Sequence, residues 1–82
     1  MLEKDMKYLK KALKKAEGAE IAIVLAVLIA QTETGEDRVR LSRAKLGEMT
    51  GRSPNTIIKS RRNAVAKKLL AYHEDLTLST LR

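Results

Sequence analysis

Cysteine is absent and His73 is the single histidine, which excludes a disulfide framework and the Cys/His clusters of zinc fingers. Tryptophan and phenylalanine are also absent. Tyr8 and Tyr72 make up the whole aromatic complement, 2% of residues, so the core must be aliphatic and no ring platform exists for stacking unpaired bases. Proline occurs once, as Pro54, and glycine 4 times, so chain punctuation is sparse. The longest apolar run, residues 21–30, falls well short of the roughly 20 residues that a membrane-spanning helix needs, and reads instead as a buried core helix. Residues 1–5 lack the apolar segment of a signal peptide, which predicts an intracellular protein. Gln31, Asn55 and Asn63 are the only side-chain amides, a scarcity associated with thermophilic sources.

What the chain does contain is charge and aliphatic residues. Its 82 residues suffice for one domain, and 44% hydrophobic with 33% charged residues is the composition of a folded chain. The formal net charge is +7 and the isoelectric point about 10.0, which favours a polyanionic partner through release of bound counterions. The charge is segregated. Residues 1–17 carry +3, residues 18–37 carry −4 with no base among them, and residues 38–82 carry +8.

From residue 2 to 16 the apolar positions Leu2, Met6, Leu9, Leu13 and Ala16 recur at spacings of four and three amid lysines. That pattern predicts an amphipathic helix over residues 1–17 whose seam packs on the fold, on a second copy, or on an anionic membrane surface. A second helix, predicted over residues 19–32, is apolar nearly all round, so neighbours must cover it. Residues 34–37 read as a turn, and the alternation of Arg38, Val39, Arg40 and Leu41 suits a short strand.

Two helices with complementary end signals follow. Ser42 is placed to cap a helix running from Arg43 to about Thr50, Leu41 and Leu46 are spaced as a hydrophobic staple, and Gly51 suits the left-handed exit. Ser53 is placed to cap the next helix, with Pro54 at its first position and Ile57 packing back one turn later. The stretch from Leu46 to Ile57 resembles the helix-turn-helix of bacterial and archaeal repressors. Gly47 holds the pattern's small position, Gly51 its turn glycine and Ile57 its β-branched apolar position. Thr50 and Arg52 depart from it, standing where apolar residues are usual.

The resemblance implies sequence-specific binding of double-stranded DNA by a mainly α domain of about four helices, winged-helix-like, with a short β element and a truncated wing. It places the second helix in the major groove. The expected base-reading residues are Ser53, Asn55, Thr56, Lys59, Arg62 and Asn63, and those expected at phosphates are Ser42, Arg43, Lys45, Arg52, Arg61, Lys67 and Lys68. A homodimer is expected, because one short helix reads few base pairs, with Leu2, Met6, Leu9 and Leu13 of the N-terminal helix, and the tail, as its candidate contacts. The helix-turn-helix segment is assigned to residues 41–70 and a tail to residues 71–82. Within these segments Val65, Leu69, Tyr72 and Leu76 fall at heptad spacing, so the reading helix extends into a short zipper or else gives way to a strand. Asp75 to Leu81 alternates as a strand does, without room for a second, and would pair with residues 38–41 or pack on a dimer partner. The basic, apolar and zipper-like features together also look like the small DNA-binding regulators of crenarchaeal plasmids and viruses, which implies a transcription or copy-number regulator in the cytoplasm, at the nucleoid. No phosphate-binding loop, nucleophile motif or ligand spacing is present, so neither enzyme, cofactor nor metal is expected. Two other functions fit the charge: sequence-indifferent architectural binding of DNA, and a basic adaptor that docks residues 2–16 on an acidic protein or membrane.

Overall fold

The computed structural model describes residues 3–82. Four helices, α1 (Glu3–Lys15), α2 (Gly18–Thr34), α3 (Arg43–Thr50) and α4 (Pro54–Ala66), are followed by an antiparallel hairpin of β1 (Leu70–Tyr72) and β2 (Leu78–Thr80). The chain is therefore mainly α with a small β element. The core gathers Ile23, Val24 and Val27 of α2, Leu46 of α3, Ile57 and Ala64 of α4, and Leu69, Leu70 and Leu78 around the hairpin. It is aliphatic apart from Tyr8. Among the described residues no helix is long and apolar enough to cross a membrane.

The helix ends follow the polar and glycine signals. Ser42 Oγ accepts a hydrogen bond from the Lys45 amide at 3.0 Å, and Ser53 Oγ accepts one from the Thr56 amide at 3.3 Å, satisfying donors that the first helical turn leaves free. Gly51 leaves α3 at φ 71°, its amide bonded to the Gly47 carbonyl at 2.8 Å. A β-carbon on Gly47 would stand 3.2 Å from the Arg52 carbonyl oxygen, so a larger residue there would press on the turn, whose backbone would have to give slightly. Thr50, polar where an apolar residue was expected, donates to the Leu46 carbonyl at 2.7 Å and is satisfied within its own helix.

Of its two expected forms the tail takes the strand and not the zipper, and it differs from the strand reading in having a second strand. Helix α4 stops at Ala66, not near residue 70, and no zipper forms: Leu69 is buried and Tyr72 lies on β1. The stop is a Schellman motif, in which the Leu69 amide bonds to the Ala64 carbonyl and the Lys68 amide to that of Val65, both at 3.0 Å. Lys68 takes the left-handed position at φ 61°, where glycine is usual. The hairpin repeats the substitution. A turn closed by the Leu76 amide on the His73 carbonyl leads into Leu76 at φ 65°, and the chain then returns as β2. Both strands of the hairpin thus exist, where only one was expected. Val39 does pair with Leu78 through two backbone hydrogen bonds of 3.0 and 2.7 Å, as the alternation at residues 38–41 predicts.

A left-handed conformation costs an L-residue roughly 1–2 kcal/mol, of which glycine's greater unfolded-state freedom cancels a part. Lys68→Gly is therefore expected to stabilise the protein by about 0.5–1 kcal/mol, seen as a higher urea midpoint with unchanged slope. A lower midpoint would show that the lysine stem contributes packing that outweighs its backbone strain.

Helix α1 is rotated from its expected seam. Tyr8 and Ala12 are the buried positions, at 3% and 2% exposure, while Leu9 is half-buried and Met6 and Leu13 face solvent. Leu2 lies outside the described residues. Tyr8 displaces the leucine seam because its ring fills the core while its hydroxyl donates to the Leu69 carbonyl at 2.5 Å, and burial pushes its pKa up to about 12. Helix α2 is likewise covered on one face only, which leaves Leu25 and Ile29 exposed.

Candidate nucleic-acid interface

Helix α4 is anchored by Ile57, Ser60 and Ala64, whose spacing of three and four keeps them on one buried face. The opposite face carries Asn55, Lys59 and Arg62, all exposed. These three of the six expected readers therefore share one solvent-facing stripe along the helix.

The other three are placed differently. Ser53 donates from Oγ to Thr56 Oγ1 at 3.0 Å while capping the helix, so the two hydroxyls are committed to each other at its first turn. Thr56 is half-buried. Asn63 is half-buried beside the carboxylate of Glu20, which it helps to hold ionised.

Next to the stripe lies an open groove of about 490 Å³ bounded by Arg40, Leu41, Ser42, Arg43, Lys45, Arg61, Tyr72 and Leu76. Its lining contains four cations and no carboxylate, so their fields reinforce one another. The groove unites Arg43, Lys45, Arg61 and the capping Ser42 of the expected phosphate set and adds Arg40, which sequence reasoning missed. Its signal was the alternation at residues 38–41: with Val39 and Leu41 buried, Arg38 and Arg40 must point out. Tyr72 was missed as well. The Arg61 guanidinium sits 4.5 Å from the centre of its ring, which fixes the direction of a long side chain. Arg52, in the turn between α3 and α4, is exposed.

Lys67 and Lys68 do not join this surface. They bound a separate groove with Lys15 and Ala66 at the other end of α4. Lys67 Nζ is 2.6 Å from the Glu20 carboxylate, whose side chain is only 5% exposed. Burial opposes ionisation of Glu20, but the Lys67 ammonium, the Glu17 amide and Asn63 outweigh it and hold the carboxyl below its ordinary value.

The hairpin tip carries the opposite sign. Asp75 accepts from both the hydroxyl and the amide of Thr77, which lowers its pKa, and Glu74 beside it is exposed. His73 Nε2 shares a 2.8 Å hydrogen bond with Ser79 Oγ across the two strands. Among the described residues, no three His, Asp or Glu side chains gather as metal ligands would. Comparison of the chain with protein-family models, curated proteins and solved structures found no match.

Proposed function

We propose that this protein binds double-stranded DNA sequence-specifically, as a dimeric regulator of transcription or of plasmid copy number acting at the nucleoid. The observation that carries the reading is that two surfaces adjoin: the Asn55, Lys59 and Arg62 stripe of α4, and the carboxylate-free groove of Arg40, Arg43, Lys45 and Arg61, joined by a hollow that Arg61, Arg62 and Tyr72 line together. Helix α4 enters the major groove, where asparagine pairs with adenine and lysine or arginine reaches guanine. The cations of α3 and of the segment before it rest on the flanking phosphates, which set position without reading sequence.

In this arrangement the hairpin is a short wing that acts as a buttress. Its tip bears Glu74 and Asp75, which repel phosphate, while Tyr72 at its base aims Arg61. Burial of Tyr8 and Ala12 also commits the inner face of α1 to the core, which weighs against a freely docking basic adaptor.

The test is a competition selection from a randomised duplex pool at near-physiological salt, followed by sequencing of the retained DNA. Enrichment of paired half-sites about 10 base pairs apart, centre to centre, is expected. Strong retention without an enriched motif would replace this reading with an architectural one, and absence of binding would end both.

A further inference from the structure

Among the described residues, nothing covers the outer face of α2. Its residues 21–30 are wholly apolar, yet only the inner side is buried, and Leu25 and Ile29 remain 43% and 52% exposed. Four residues apart, they stand one above the other as a ridge. A groove runs along each flank. The first, between α1 and α2, is bounded by Leu9 and Leu28 and ends at Glu33. The second, between α2 and α3, is bounded by Ala22 and Met49. Met6 and Leu13, 45% and 67% exposed, flank Leu9 on α1 and widen the patch.

We propose that this ridge is the homodimer interface, and that its occupant is the same face of a second copy. A ridge lying between two grooves is self-complementary, and ridges at a spacing of four interdigitate when two helices cross at about −50°. The charges select the same occupant. The α2 segment carries acids without any base, ending in Glu33 and Glu36, while α1 alongside it is lysine-rich and ends in Lys14 and Lys15. Arg82 bonds both Asp5 near the start of α1 and Gln31 near the end of α2, so α1 runs back along α2, and a two-fold axis across α2 brings the acidic end of one copy to the lysine-bearing end of α1 in the other. The same operation sets Leu25 against Ile29 and Met6 against Leu13 between copies. A purely acidic or purely basic partner would match only one end of the patch.

The interface differs from the α1 seam that the sequence suggests, because it is centred on α2. It stands whether or not the DNA reading does, since self-association is measured without nucleic acid.

Sedimentation equilibrium of the full chain at tens of micromolar is expected to give a dimer. The Leu25→Glu/Ile29→Glu double variant is expected to give a folded monomer, its helicity and cooperative melting retained because both positions are exposed. The chain lacks cysteine, so copies bearing Leu25→Cys mixed with copies bearing Ile29→Cys give a second readout. They are expected to form a disulfide-linked dimer with each other faster than either forms one with itself. A monomeric wild type would leave the ridge to a different protein and overturn the proposal. A dimer indifferent to both glutamates would place the interface elsewhere and overturn it equally.

Discussion

Alanine at both Lys59 and Arg62 is expected to weaken binding to the selected duplex by roughly two to three orders of magnitude, since each well-placed base contact contributes about 1–3 kcal/mol. Both side chains are exposed, and neither takes part in an ion pair among the described residues. Their removal should therefore shift the unfolding free energy by less than about 0.5 kcal/mol, which separates lost recognition from lost fold. Asn55→Ala should cost less in affinity than the double variant and should relax preference at one position of the site. Lys45→Ala, on the phosphate side of the groove, should instead weaken all duplexes alike and reduce the slope of log affinity against log salt by about 1. The measurement is anisotropy titration at three salt concentrations on the selected sequence and on a scrambled one. If the Lys59/Arg62 double variant binds both sequences as the wild type does, α4 is not the reading helix.

How far this surface could be read from the sequence follows from which residues occupy the special backbone positions. Ser42, Ser53, Pro54 and Gly51 are residues that helix ends select for, so α3, the turn and the start of α4 were legible to within a residue. The end of α4 and the hairpin were not, because the left-handed positions there are held by Lys68 and Leu76, which give no local sign of a stop or a turn. With glycine at either place the helical spacing of Val65, Leu69 and Tyr72 would have been visibly broken. Tyr8 hid the rotation of α1 in a related way. A leucine seam of good periodicity lost to one larger residue with a polar tip that found a carbonyl in a segment 61 positions away. The roles of Lys67 and Asn63 were illegible for a different reason. Their partner is Glu20, on another helix, and nothing in the spacing of a basic segment distinguishes a lysine bound for phosphate from one committed to a buried carboxylate.

That commitment makes Lys67→Met the substitution with the largest expected effect on stability. Removing one partner of a fully buried ion pair costs about 3–5 kcal/mol; here the lysine side chain is 34% exposed, so a loss of about 2–3 kcal/mol is expected at neutral pH. Glu20→Gln should cost less, because an amide oxygen still accepts from the Glu17 amide and the lysine left behind can turn to solvent. Converting both positions to methionine should come back to within about 1 kcal/mol of the wild type, since an apolar pair asks for no desolvation of charge. The pH dependence follows from the direction of the Glu20 shift. Its folded pKa lies below the unfolded value of 4.5, so the stabilisation is fully present above that value and is lost as pH falls through the folded one. In Lys67→Met the main cation is gone, burial dominates, and the carboxyl takes up a proton at higher pH than in the wild type. The variant should therefore be furthest below the wild type at neutral pH, and the gap should close as the pH falls from the raised Glu20 pKa of the variant through the lowered one of the wild type. Urea midpoints across that range decide it. A gap that stays constant with pH would mean that Lys67 acts through its packed methylene stem and not through its charge.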